Sequence, residues 1–158
     1  MGHVLDLRFD GRPGEFFTWA EFERTGTGLP NEAPVRARTC LQILVEHVLD
    51  PLRRFIGRPI IVTSGYRSPE VNAAVKGSKT SAHKTGEAAD IKAKGLSAPE
   101  LVSQILQSGV NFDQVIAYAP ERGGHVHLGI KAGAPSSHRR QVLWAPKSGG
   151  YEPFRSTP

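Results

Sequence analysis

The chain has a single cysteine, Cys40, among its 158 residues. One thiol cannot form an internal disulfide, and it excludes a zinc site built on several cysteines. Cys40 lies in ARTCLQILVEHVL, a segment of helical periodicity, where the expected role is a small residue of a buried helix surface. No partner for a catalytic thiol stands near it in the sequence. The chemistry of this chain is therefore expected elsewhere.

The sequence also lacks a long hydrophobic run. Its first residues, MGHVLDLRFDGRPGEFF, place Asp6, Arg8, Asp10 and Arg12 among few apolar residues. This predicts no Sec-type signal, and no later run reaches membrane-spanning length. We expect synthesis in the cytoplasm, so that any role outside the cell needs another route of release. The 39% hydrophobic and 22% charged composition predicts an ordinary globular domain.

Lysine and arginine outnumber aspartate and glutamate by 20 to 15, which gives a formal charge of +5. A basic chain binds polyanions, which include nucleic acid, bacterial wall polymers and acidic peptides. The basic loop KGSKTSAHK lacks the glycine spacing of a phosphate-binding loop, and the few aromatic residues do not alternate with basic ones. We therefore expect no nucleic-acid partner.

Helix signals dominate the first half of the chain. Thr18 and Glu21 form a capping-box pattern in FTWAEFERT, and APVRARTCLQILVEHVLDPLRRFIG is a long helical segment in which Pro51 predicts a kink or an end. Shorter helices are predicted in SPEVNAAV and, further along, in SAPELVSQILQSG.

Strand signals lie mainly later. PIIVTSG and EAADIKA are predicted strands, and DQVIAYA, HVHLGI and RQVLWA follow as a predicted meander. Helices first and strands later favour an α+β domain with an antiparallel sheet and helices packed mainly on one face. We expect an N-terminal arm over 1–15, the domain over 16–145, and an extended C-terminal tail over 146–158.

Two segments carry side chains suited to metal chemistry. In HVHLGI, strand alternation sends His125 and His127 to the same face. In SAHKTGEAADI, His83 and Asp90 are separated by small, polar or glycine residues that let the chain fold back. A buried, unpaired Asp90 carboxylate would be costly, and a cation removes that cost. With one histidine of the HVH pair, these residues supply the two nitrogens and one carboxylate that a catalytic zinc uses.

Taken in order, SGYRS, SAHKTGEAADI and HVH resemble the zinc peptidases of the D-alanyl-D-alanine carboxypeptidase type, the M-fifteen metallopeptidase family. The hallmarks of that family are S-x-H-x-x-G-x-A-x-D and a downstream histidine. The likeness covers residues 16–144 and is strongest to the phage-endolysin and cell-wall-hydrolase branch. It implies the hedgehog/D-Ala-D-Ala-peptidase fold, an antiparallel sheet with helices on one side.

The resemblance implies roles for particular residues. It makes His83, Asp90 and His127 the ligands of one catalytic Zn²⁺, because the second histidine of H-x-H is the ligand in this family. It implies that Arg67 and Ser81 contact the substrate. It also implies that Arg67 and His125 stabilise the oxyanion.

The general base is where the sequence departs from the family pattern. Many members carry an acidic residue three positions before the last ligand, and Gly124 stands there. Tyr118 on the neighbouring strand, Glu121 and His125 remain as candidates for the base or for substrate contact. Strand alternation points Glu87 away from Asp90, which makes it a poorer candidate.

The implied function is hydrolysis of peptide bonds in the peptidoglycan stem or cross-bridge through a metal-activated water, by a carboxypeptidase or an endopeptidase. Peptidoglycan stem peptides are then the partner, reached after release through a holin or as part of a particle. A second reading keeps the fold and the zinc but not the activity. In that reading the chain is a wall-binding or phage-particle decoration protein, whose Pro- and Gly-rich tail docks onto an assembly.

Overall fold

A computed structural model describes residues 11–155 of the chain. Within this range, five α-helices and six strands form one α+β unit, and the predicted α+β class is confirmed. The helices are α1 Trp19–Glu23, α2 Val35–Leu44, α3 Asp50–Ile56, α4 Pro69–Ala74 and α5 Ala98–Ser108. The strands are β1 Ile60–Ser64, β2 Ala88–Ala93, β3 Gln114–Tyr118, β4 Val126–Gly129, β5 Gln141–Ala145 and β6 Glu152–Pro153.

The long predicted helix does not end at Pro51. A π-helical turn, Val45–Leu49, joins α2 to α3, so the wider turn lies just before the proline, which donates no backbone hydrogen bond. The helix ends at Gly57, whose φ of 70° closes it. Both predicted capping boxes form: the Glu21 carboxylate accepts the Thr18 N–H at 2.7 Å, and the Ser97 hydroxyl accepts the Glu100 N–H at 3.2 Å.

The six strands lie in the order β1-β2-β4-β3-β5-β6. Neighbouring strands are antiparallel except for β3 and β5, which are parallel. The predicted antiparallel meander is therefore wrong at β5. Because β2 and β3 occupy both edges of β4, the chain after β4 crosses to the free edge of β3 and runs alongside it.

The two faces of the sheet differ in chemistry. Alternate residues of β2, β3 and β4 point to a helix-covered core, among them Ile91, Val115 and Leu128, each fully buried. Helices α2, α3 and α5 supply the other half of this core through Leu41, Leu52 and Leu101. The intervening strand residues point to the opposite face. A polar side chain on that face avoids the apolar core but still lies on a rigid strand.

Both chain ends return to the domain where the structure describes them. The Asp50 carboxylate accepts the backbone N–H of Glu15 at 2.8 Å, and β6 pairs with β5 within the predicted tail. The first ten residues of the predicted arm and the last three of the tail lie outside the described range, and the domain limits stay a prediction. Within residues 11–155, no helix has both the length and the apolar character needed to cross a membrane.

Candidate metal centre

One row of cross-strand neighbours lies on the open face of the sheet, the face that the helices do not cover. Ser64 of β1 pairs with Asp90 of β2, Asp90 with His127 of β4, and His127 with Ile116 of β3. The register between β1 and β2 shifts at Thr63, the position of a β-bulge. The bulge re-aims the end of β1 toward the open face, as bulges near functional sites do.

His83, Asp90 and His127 point one atom each at a common position. His83 Nε2 lies 3.2 Å from Asp90 Oδ1, His127 Nδ1 lies 3.1 Å from the same oxygen, and the two nitrogens are 3.3 Å apart. A tetrahedral ion with bonds of about 2.0 Å separates its ligand atoms by about 3.3 Å. The near-equilateral triangle therefore fits one small metal ion, with a fourth side open.

His83 is oriented by its other ring nitrogen. Its Nδ1 lies 2.7 Å from the carbonyl oxygen of Gly65, which accepts the Nδ1–H and leaves the Nε2 lone pair free for a metal. His83 stands on a short 3₁₀ helix, Ala82–Thr85, capped by Ser81, whose hydroxyl accepts the His83 N–H. Gly65 follows directly after β1, so the strand end that carries the bulge also fixes the first histidine.

The second oxygen of Asp90 faces a different pair of groups. Its Oδ2 lies 3.4 Å from an Arg67 guanidinium nitrogen and 3.7 Å from His125 Nε2. Burial by itself would raise the pKa of Asp90, but His83 and His127 outweigh it and hold that pKa well below its usual range. The carboxylate is thus ionised, with one oxygen toward the metal position and the other toward Arg67 and His125.

His125 precedes β4 and lies beside the triangle, not at one of its corners. The Tyr118 ring stacks on it with centroids 4.4 Å apart. Behind the imidazole, a Cβ on Gly123 would come within 2.8 Å of His125 Nδ1. Burial lowers the pKa of His125, so the ring is neutral at pH 7 and one nitrogen can accept a proton.

The metal position opens into a cleft of about 680 Å³. Besides the histidines, the described residues give its lining four cations and two carboxylates: Arg67, Lys76, Arg122, Arg139, Asp90 and Asp113. Both carboxylates are already held by cations. Arg67 contacts Asp90, and Arg139 donates from Nε to Asp113 Oδ1 and from a terminal nitrogen to Oδ2. Within residues 11–155, Lys76 and Arg122 face no carboxylate. The cleft is therefore suited to an anionic ligand.

The other predicted site residues divide between the cleft and the surface. Arg67, Ser81 and Tyr118 line the cleft with His125. Glu121 is exposed on the 3₁₀ turn Pro120–Arg122 and is not part of the lining. Glu87 is turned away, because its carboxylate accepts the backbone N–H of Ala132 at 2.9 Å.

Three groups at the site could not be predicted from the sequence because their positions depend on the fold. The Gly65 carbonyl lay within the recognised SGYRS segment, but a backbone acceptor has no sequence signal of its own. Arg122 and Tyr151 also line the cleft, and Tyr151 comes from the predicted tail. No local pattern marks either residue, because only the return of the chain along β5 brings Tyr151 to the site.

Comparison with protein families gives a match that includes the site. The family model described as Peptidase M15 matches residues 16–129, more than two thirds of the chain. No curated protein matches the chain. The matched range contains the whole triangle and His125, and it ends at the last residue of β4.

Proposed function

Because the chain belongs to the Peptidase M15 family and is a metallopeptidase, we propose that it uses zinc to hydrolyse peptide bonds of the peptidoglycan stem or cross-bridge. The observation that carries this proposal is the triangle of His83, Asp90 and His127 at the floor of a cleft. Two lining cations of that cleft, Lys76 and Arg122, face no carboxylate within residues 11–155.

His83, Asp90 and His127 are the residues that would hold the zinc ion. Two imidazole nitrogens and one carboxylate oxygen are a donor set that catalytic zinc uses, with one position left open. When bound, zinc supplies Lewis acidity, which polarises a carbonyl and makes a water molecule acidic near neutral pH. The Gly65 carbonyl supports this set by fixing the tautomer of His83.

Arg67 is proposed to bind the attacked carbonyl or a substrate carboxylate. Its Nε donates to the Ser64 hydroxyl at 3.1 Å and one terminal nitrogen contacts Asp90, so the guanidinium is held in place. Its other N–H groups remain for the substrate. A donor fixed before the reaction stabilises developing negative charge without reorganisation, and removing such a donor costs about 100- to 1,000-fold in rate.

His125 is proposed to move the proton. Its neutral ring lies next to Asp90 Oδ2 and is held flat against Tyr118, so a ring nitrogen can accept a proton from water and return it to the leaving amine. Ser81 and Tyr118 line the cleft on either side and are proposed to position the substrate. Glu121 would have to move inward to serve as the base, so we assign it no proton transfer.

Peptidoglycan is proposed as the substrate because the charge of the cleft complements its acidic stem peptides. The scissile bond can be that of a D-Ala-D-Ala carboxypeptidase or of a stem or cross-bridge endopeptidase, since these activities share the same ligand set. Access to the wall would follow release through a holin or delivery by a phage particle.

A second candidate function is a non-catalytic, zinc-containing module that binds the wall or a phage particle. Two observations favour it. The carboxylates of the described cleft lining, Asp90 and Asp113, are both engaged by cations, and Gly124 occupies the usual position of the acidic base. This candidate requires that His125 does not replace the missing carboxylate.

The decisive experiment measures bound zinc and the peptides released from purified peptidoglycan, with products identified by mass spectrometry. We expect bound zinc and released peptides for the wild type, and loss of both for Asp90→Ala. His125→Ala should keep its zinc and lose activity by about 100- to 1,000-fold. His47→Ala, at an exposed helical position remote from the triangle, is the matched control and should behave as wild type.

Two results would count against the proposal. Absence of zinc in the wild type would refute the metal site. Zinc without released peptides, and a His125→Ala variant indistinguishable from wild type in wall binding, would establish the non-catalytic module instead.

A further inference from the structure

Tyr151, in the segment that follows β5, lines the cleft and lies beyond the residues that the family match covers. β6 pairs with β5 through Leu143 with Pro153 and Trp144 with Glu152, and this pairing fixes the position of residue 151. The Tyr151 side chain lines the cleft and is 56% exposed. The family match ends at residue 129, so this lining residue belongs to a segment that the match does not cover.

Arg122 ties that segment to the site. One of its terminal nitrogens donates to the carbonyls of Gly150 at 2.8 Å and Pro146 at 3.3 Å. Its guanidinium carbon lies 5.2 Å from the Tyr118 ring centroid and 5.4 Å from that of Tyr151. The cation thus lies within cation–π distance of both rings, which meet edge to face with centroids 6.3 Å apart. Its charge is not neutralised by any carboxylate within residues 11–155.

The two phenols leave one hydrogen for a ligand. The hydroxyl oxygens of Tyr118 and Tyr151 are 3.3 Å apart, and one hydrogen bond between them uses only one of the two hydrogens. Tyr118 is the more buried ring, stacked on His125, so we take it as the donor to Tyr151. The Tyr151 hydroxyl hydrogen is then available to a ligand in the cleft, which Arg122 also lines.

A phenolic O–H and a guanidinium that line one cleft form a donor set for a carboxylate, and no carboxylate within residues 11–155 pairs with this guanidinium. We propose that Tyr151 and Arg122 bind a carboxylate of the peptide substrate beyond His125, and that Tyr151 is a specificity-determining residue for acidic peptides. The inference rests on the proposed function only in taking the cleft as the peptide site. The carboxylate in question is a second one, distinct from the group that Arg67 receives.

The test uses two synthetic stem peptides that differ only in a free carboxylate or a carboxamide on the D-glutamyl residue. Dissociation constants for the metal-free chain come from calorimetric titration, and KM and kcat come from the zinc-loaded chain. We expect the wild type to bind the acid form about tenfold more tightly than the amide, the size expected for a hydrogen bond to a charged group. The same preference should appear in KM, with kcat little changed.

Tyr151→Phe is the critical variant, because it removes the hydroxyl but keeps the ring against Arg122. Its preference for the acid form should fall to about twofold or less, through weaker binding of the acid alone. Arg122→Gln should abolish the preference. Arg140→Gln, which removes the same charge outside the cleft lining, is the control and should keep it.

The outcomes separate this proposal from the function on which it rests. Equal affinity of the wild type for both peptides, or an unchanged preference in Tyr151→Phe, overturns the carboxylate site. If neither peptide is cleaved but the wild type still prefers the acid form and Tyr151→Phe does not, the peptidase proposal fails and the carboxylate site stands.

Discussion

Asp90 shows how one residue can serve two parts of a site. Its Oδ1 completes the triangle with two histidine nitrogens, while Oδ2 faces Arg67 and His125. A carboxylate is the smallest side chain that offers two acceptors on opposite sides. An amide at this position would replace one acceptor with a donor directed at a cation or at the metal. The position therefore depends on the carboxylate chemistry as well as on its charge.

Asp113 gives a pH-dependent prediction at the same scale. Its hydrogen bonds with Arg139 lower its pKa to about 2, below the unfolded value of about 3.9. A lowered folded-state pKa stabilises the fold above the unfolded pKa, and this contribution is lost as the pH falls from about 4 to about 2. Because the Arg139 side chain is 52% exposed, we expect about 1 to 2 kcal/mol.

The free energies of unfolding of wild type and Asp113→Asn, measured in urea, should therefore differ most near pH 6 and converge near pH 2. Glu121→Gln, which removes an exposed carboxylate, is the control and should run parallel to wild type over this range. If the difference in free energy of unfolding between wild type and Asp113→Asn does not change with pH, the lowered pKa of Asp113 is not its cause.

At the scale of elements, the short 3₁₀ helix Ala82–Thr85 controls the distance between two ligands. It places His83 over the end of β1. The chain then reverses direction and enters β2, which carries Asp90. The reversal occurs at Gly86, whose φ is 78° and whose missing Cβ would lie 2.2 Å from the carbonyl oxygen of Ala37. The glycine is required by both the backbone conformation and the close approach of α2.

Gly86→Ala should accordingly destabilise the fold more than the same replacement at a glycine that has a similar positive φ but no close neighbour. Gly109 ends α5 with a φ of 75° and has open space at the Cβ position, so Gly109→Ala is a matched control. We expect a loss of about 1 kcal/mol in the free energy of unfolding for Gly109→Ala and about 3 kcal/mol for Gly86→Ala. Thermal denaturation of the two variants compares them. Equal losses in the free energy of unfolding would show that α2 moves away from the added methyl group without a measurable energetic cost.

At the scale of the whole molecule, the fold separates stability from chemistry by assigning them to the two faces of one sheet. The helices bury one face, and the other carries the candidate metal centre and a cleft with more cations than carboxylates. The net charge of the chain, +5, has the same sign as the cleft. Long-range attraction to an anionic polymer would then bring the cleft to its substrate.

This charge predicts that binding to purified peptidoglycan is sensitive to salt. We expect retention of the His125→Ala variant on insoluble wall to fall severalfold between about 0.05 M and about 0.5 M NaCl, because the Debye length shrinks over this range. A variant of low activity is used so that the wall stays intact. Wall material with its carboxyl groups amidated should retain little protein at either salt concentration. Retention that ignores salt would argue for contacts of another kind.

Much of this architecture could be predicted from local signals. Capping patterns at Thr18 and Ser97 marked helix starts, and alternation in HVHLGI marked a strand. The parallel placement of β5 could not be predicted, because it depends on which sheet edges remain free. Spacing predicted His83, Asp90 and one histidine of HVH as metal ligands, and the family resemblance implied the choice of His127 and the roles of Arg67 and Ser81. Their partners, such as the Gly65 carbonyl, depended on the bulge in β1.

By itself, the sequence determined which side chains can bind a metal and which elements carry them, because ligand chemistry and backbone periodicity are local properties. The tertiary structure decided the rest: the single point at which His83, Asp90 and His127 meet, the position of Glu121 outside the cleft, and the arrival of Tyr151 at its rim. These depend on strand order and register, through which residues far apart in the chain become neighbours at distances of about 3 Å.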